Sequence, residues 1–138
     1  MELFVRHTGG VSFEAKTRGQ RIVSDQPLDN QGQDSGMTPP ELLLASLGTC
    51  AGFYALQYLR TRALSSEGLE VKVTAEKAAA PARIGSFHVE VIAPNVAAEH
   101  QAGILRSVKA CLIHNTLTHP PAIEMEVRTN TADMILAG

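Results

Sequence analysis

The chain has no tryptophan, and aromatic residues make up only 4% of its 138 positions. Surfaces that stack nucleic-acid bases are built from aromatic side chains, so this stock argues against one. A basic excess is missing too: 12 Lys and Arg stand against 14 Asp and Glu, the net charge is -2, and the basic residues form no run. A protein that neutralises several phosphates carries the opposite bias, so nucleic acid is not an expected partner. Long apolar runs are also lacking. The longest, TPPELLLASLGTCAGFYALQYL at 38–59, is interrupted by Gly48, Thr49, Cys50, Gly52, Tyr54, Gln57 and Tyr58, short of the ~20 apolar residues a membrane span needs. The opening MELFVRHTGG lacks the basic-then-apolar order of a signal peptide. The expectation is a cytoplasmic protein with no membrane partner. In that compartment a permanent disulfide is disfavoured, so the two cysteines, Cys50 and Cys111, are to be read as buried thiols, a metal pair or redox groups.

What is present reads as one domain over 1–138, of a size that hides roughly two-thirds of its unfolded surface. Leu3 and Val5, then Val11, Phe13 and Ala15, alternate with polar neighbours, and RIVSD follows the tight turn Thr17-Arg18-Gly19-Gln20. Residues 25 to 38, DQPLDNQGQDSGMT, are polar and Gly-containing and make an ordered loop or a lid. Thr38-Pro39-Pro40-Glu41 is a strong helix start, with Thr as cap, Pro in the first turn and Glu closing a capping box. The helix runs from about 39 to 61 and is apolar nearly all round, the mark of one buried on most sides. Leu69, Val71, Val73 and Ala75 alternate as a strand, Ala78 to Arg83 turn the chain, and Phe87, Val89 and Val91 form its partner. A second helix spans 97 to 110, ACLIHNTL continues or restarts it, and Ile123, Met125 and Val127 alternate as a last strand. The order β-β(-β)-α-β-β-α-α-β describes an α+β domain of antiparallel sheet around one long buried helix.

Chemistry concentrates at the two cysteines. Gly48, Thr49, Ala51 and Gly52 surround Cys50 with small residues, although a helix-interior glycine costs about 1 kcal/mol relative to Ala; small neighbours would let another element or a ligand approach the sulfur. Cys111 falls where the second helix breaks, so its sulfur is expected near the N–H groups of a new turn, with His114 three residues on. Three readings remain open: a Cys50/Cys111 redox pair, a Cys111/His114 nucleophile and base, and a metal site of both cysteines with His114. The metal reading lacks any CxxC or HxxxH pairing, and the nucleophile reading lacks a third orienting group. A thiol that attacks a peroxide must be ionised and needs a nearby cation, for which Arg18 and Arg21 are the candidates.

Taken together, PELLLASLGTC at 40–50, KACLIHNTL at 109–117 and the TRGQRIVSD hairpin resemble the OsmC/Ohr family of osmotically inducible and organic hydroperoxide resistance proteins. The resemblance covers nearly the whole chain. It implies an OsmC-like fold in an intertwined homodimer, its long helices buried between the sheets and its two active sites at the interface. It further implies a thiol peroxidase without metal or other cofactor. Cys50 would attack the peroxide, Cys111 would resolve the sulfenic acid, Arg18 would stabilise the thiolate, and Glu41 would orient Arg18. The implied partners are an organic hydroperoxide, with hydrogen peroxide a poorer substrate, and a dithiol or lipoylated-protein reductant. Met37, Leu47, Phe53 and Tyr54 are the expected apolar pocket. One departure stands out: Glu41 precedes Cys50 by nine positions, whereas the hydroperoxide-specific branch has its glutamate at ten, occupied here by Pro40, and one residue turns a side chain about 100° round a helix. The motif is closer to the OsmC-like branch. A stress protein that binds a small molecule or senses redox state on the same fold is the alternative function.

Overall fold

The computed structural model describes residues 1–130. Three antiparallel strands open the chain, β1 (Phe4–Gly9), β2 (Ser12–Thr17) and β3 (Gln20–Ser24), in the order β1-β2-β3. The β2–β3 turn is the expected one, with both central residues at positive φ, Arg18 at 52° and Gly19 at 84°, the geometry whose twist matches that of the flanking strands. Alternation sends Arg6, Glu14, Lys16 and Arg21 to one face, where Glu14 pairs with Lys16 at 3.4 Å and Arg21 at 3.5 Å. The other face carries Leu3, Val5, Phe13 and Ile22, all exposed. These strands pack on one another and make no more than marginal contact with the other described helices and strands.

After the 25–38 segment comes α1 (Pro39–Thr61), with bounds as expected. Thr38 caps it, accepting from the Glu41 N–H, while the Glu41 carboxylate accepts from the Thr38 N–H: a complete capping box. A hairpin of β4 (Glu70–Ala78) and β5 (Arg83–Ile92) follows, then a single turn of 3-10 helix, α2 (Gln101–Lys109) and α3 (Leu112–Thr118). The β4–β5 hairpin lies against α1 through Val71 and Val73. On another side of α1 the core joins Ala55, Tyr58 and Leu59 to Ile104 of α2. Gly103 makes that crossing possible, because a β-carbon there would overlap the Tyr58 ring. The Tyr58 hydroxyl shares a 3.0 Å hydrogen bond with His100 Nδ1, and the Arg62 guanidinium caps the ring at 3.7 Å.

Two expectations need correction, and a third is narrowed. The helix α1 is not buried on most sides: Leu43 and Phe53 are exposed, Phe53 at 57%, because its own chain supplies cover on only part of its circumference. Of the two approaches its small residues would allow, the structure shows that of another element, β4. A β-carbon on Gly48 would sit 3.0 Å from a Val73 methyl, and one on Gly52 3.5 Å from a Val71 methyl, so they let β4 approach the helix. Finally, Ile123, Met125 and Val127 form no strand with any of the described residues, and Met125 is 88% exposed. The polar interruptions of α1 also do not remove its apolar average: by length and composition it is long and apolar enough to cross a membrane, as core helices often are.

Candidate active site

Cys50 projects, half-buried, from the middle of α1, while Cys111 is fully buried at the N-cap of α3. Both are free thiols, and Cys50 stands close enough to Cys111 to bear on its ionisation. The expected helix break explains the meeting. At Ala110 and Cys111 the chain leaves α2 and restarts, and Cys111 takes an extended conformation with φ -56° and ψ 132°. Its carbonyl accepts the Asn115 N–H at 3.0 Å and starts the new helix, which leaves its side chain directed at α1.

Burial pushes the Cys111 thiol above its ordinary range, and the hydrogen bond to Cys50 pushes the same way. The N–H groups of His114 and Ile113 pull it down by less. The helix-terminus argument therefore holds for the direction of those N–H groups, but desolvation outweighs them, and Cys111 stays a thiol. The partly exposed partner, Cys50, is the sulfur a solute can reach.

The other predicted residues divide. Tyr54, one turn beyond Cys50, lines a hollow of about 400 Å³ with Ala110, Leu112, Asn115, Thr116 and His119. The positions Leu112, Asn115, Thr116 and His119 recur at helical three- and four-residue steps, the signal in the sequence that marks them as one face. Phe53 touches Tyr54 edge-on, ring centres 5.7 Å apart. Leu47 is buried in the helix packing and lines no cleft among the described residues. Met37 and Glu41 lie elsewhere, in a 510 Å³ cleft between α1 and β4 that also holds Leu44, Ala45, Gly48, Thr49, Val71 and Val73. Nine residues at about 100° each put Glu41 roughly half a turn round the helix from Cys50. Its carboxylate accepts from the Thr38 N–H at 3.0 Å and the Thr38 hydroxyl at 2.9 Å, bonds that hold it below the usual carboxylate range. Arg18 stands exposed at the hairpin tip with no carboxylate within ion-pair distance among the described residues. Within one chain, then, the two thiols meet, and neither Arg18 nor Glu41 joins them. His114 is half-buried beside Asn115, its ring nitrogen 3.4 Å from the amide oxygen; its backbone, not its ring, serves Cys111. No group of three His, Cys, Asp or Glu side chains is placed to hold a metal among the described residues.

An α+β chain with a long central helix and a thiol pair against it is the pattern of the OsmC-like proteins, and the family model for OsmC-like protein matches residues 32–126. The chain belongs to that family. Similar solved structures include a protein of Psychrobacter arcticus titled a "putative" osmotic stress induced and detoxification response protein, with 23% identity over 83% of this chain and 85% of that one and a TM-score of 0.74. An OsmC-like protein of Mycoplasma pneumoniae matches at 22% identity over 86% and 87%, TM-score 0.70. An organic hydroperoxide resistance protein OsmC of Legionella pneumophila matches at 14% over 85% and 89%, TM-score 0.61. At these identities the likeness speaks for the fold. No curated protein matches by sequence.

Proposed function

We propose that this chain is a cytoplasmic thiol peroxidase that reduces organic hydroperoxides, and hydrogen peroxide less well, as an intertwined homodimer. The observation that carries the reading is a partly exposed Cys50 standing beside a buried Cys111 whose thiol is pushed up by burial and by that neighbour. The Cys50 thiolate attacks the outer oxygen of ROOH, the O–O bond breaks, and the alkoxide leaves as ROH after taking a proton; Cys50 is then a sulfenic acid. Cys111 attacks that sulfur, its proton leaves with the hydroxyl as water, and a Cys50–Cys111 disulfide remains. A dithiol or lipoylated protein returns both thiols at the cost of its own oxidation. A Cys111 whose pKa is raised is suited to wait as a thiol until its partner is oxidised.

Two uncovered apolar surfaces support the dimer. The Leu3, Val5, Phe13 and Ile22 face of the first sheet and the Leu43 and Phe53 side of α1 are both exposed, yet they do not pack on each other within a chain. In two copies each sheet would cover the other's helix, and the hairpin tip would carry Arg18 toward the second copy's Cys50. The shared surface would complete a site that one chain leaves open. The alternative, a small-molecule binding or redox-sensing protein, draws its support from the absence of an acid beside Arg18 among the described residues and from Glu41 being engaged as a helix cap. Treating reduced protein with one equivalent of cumene hydroperoxide and counting free thiols separates them. The peroxidase loses both thiols, and Cys50→Ser loses none; thiols that survive excess peroxide rule the peroxidase out.

A further inference from the structure

We propose that Asp25 is a positioning residue that sets the direction of the first sheet relative to α1, and through it the placement of Arg18 against the reactive thiol. The inference rests on the reading that Arg18 serves Cys50. Arg18 and Cys50 belong to two bodies of one chain, and the 25–38 segment is what ties them together, since the strands of the first sheet make no more than marginal contact with α1 or the β4–β5 hairpin.

That segment is knotted around one carboxylate. Asp25 is 3% exposed, the one buried charged residue among those described. Its Oδ1 accepts the Gln26 N–H at 2.8 Å; its Oδ2 accepts the Gln33 N–H at 3.1 Å, the Ser35 N–H at 3.1 Å and the Ser35 hydroxyl at 2.6 Å. These donors, the Ser35 hydroxyl first, lower the carboxyl from the ordinary value of 3.8 to about 2, so the charged knot contributes its full stability above the ordinary carboxyl range and loses it as pH falls from there through about 2. The chain closes on itself elsewhere too. A β-carbon on Gly32 would overlap the Gln26 carbonyl, and one on Gly36 the Val23 carbonyl. Where the knot ends it is bolted to the end of β3: the Asp25 N–H and the Ser24 hydroxyl both donate to the Met37 carbonyl, at 3.3 and 2.9 Å. The next residue, Thr38, is the N-cap of α1. The exit from β3 and the entry to the helix are thus fixed within one bonded unit, and the segment is a brace, not a lid. A polar loop held by surface contacts would need no buried ion; a joint that must keep an angle does.

The test compares Asp25→Ala, Arg18→Ala and the double variant, each in a Cys111→Ser background so that one thiol reports. The pH midpoint of Cys50 alkylation by iodoacetamide is measured, with hydrogen exchange of the Gln33 and Ser35 amides alongside. The expected result is a midpoint shifted by Asp25→Ala in the same direction as by Arg18→Ala, with the double variant lying on Arg18→Ala and the two amides exchanging faster. With Cys111 restored, kcat/KM for cumene hydroperoxide should fall by roughly 10- to 100-fold, the scale on which misplacing a positioning group acts. Asp25→Asn, which keeps an oxygen for the three Oδ2 donors, should fall between wild type and Asp25→Ala, and serves should the alanine variant not fold. If the amides open but the midpoint stays at the wild-type value, or if the two substitutions add independently, the positioning role is wrong while the thiol reading stands. If Arg18→Ala itself leaves the midpoint unmoved, the arginine's part in the site fails and this inference fails with it.

Discussion

The two sheets of this chain are of similar make and opposite circumstance. The β4–β5 hairpin sends Val71 and Val73 against Gly48 and Gly52 of α1, close enough that a single methyl on the helix would press on the strand. The β1–β3 sheet sends Leu3, Val5, Phe13 and Ile22 to a face that the described residues leave exposed. Both pair antiparallel, each with one register shift, between His7 and Gly9 in one and between Glu76 and Lys77 in the other; alternation sets which residues face together and does not set what covers them. One half of the molecule is finished by its own helix; the other is built for a surface that, in the proposed dimer, a second copy brings.

Substitutions on the two sides sharpen that contrast. The largest loss of stability is expected at Leu59, fully buried in the finished half: Leu59→Ala should cost about 2–5 kcal/mol, read as a lower midpoint in urea with the same slope. Phe53→Asp on the unfinished side should leave the unfolding of the isolated chain nearly unchanged, since the ring is exposed there. It should instead weaken self-association by roughly 100-fold, the effect of burying a charge where an aromatic anchor sat, and sedimentation velocity would show monomer at concentrations where wild type is dimeric. Retention of dimer by this variant would mean that the helix face is covered in some other way. The smallest effect is expected at Gly48→Ala: the helix gains about 1 kcal/mol from losing a glycine, and the 3.0 Å approach to Val73 returns much of it, leaving thermal stability within a few degrees of wild type.

How far the sequence revealed this depended on whether the relevant partner was near in the chain. The start of α1 was legible because Thr38, Pro39 and Glu41 act within one turn, and the hairpin was legible because Arg18-Gly19 needs only its own backbone. The restart of the helix at Cys111 was legible in the break after Lys109, while its partner was not, since the residues alone left a redox pair, a Cys111/His114 couple and a metal site open. The exposure of Leu43 and Phe53 was not, since helical periodicity marks an apolar side without naming its cover. The strand at Ile123, Met125 and Val127 was expected for the same reason: alternation supplies the pattern of a strand, while forming one takes a neighbouring edge. Asp25 escaped notice because a buried, fully bonded carboxylate and a solvated one look alike in a polar stretch. Glu41 stands nine positions before Cys50, and the structure gives it a local occupation in the cap, on the far side of the helix from the thiol.

The turn at Arg18 carries one last consequence. Its φ of 52° is a conformation that costs an ordinary L-residue about 1 kcal/mol and that asparagine or glycine occupies readily. Arg18→Asn or Arg18→Gly should therefore raise the melting temperature of the chain while lowering its rate with hydroperoxide. Evolution in a test tube toward heat resistance alone would discard the arginine early, and the hardier protein that emerged would have traded chemistry for comfort.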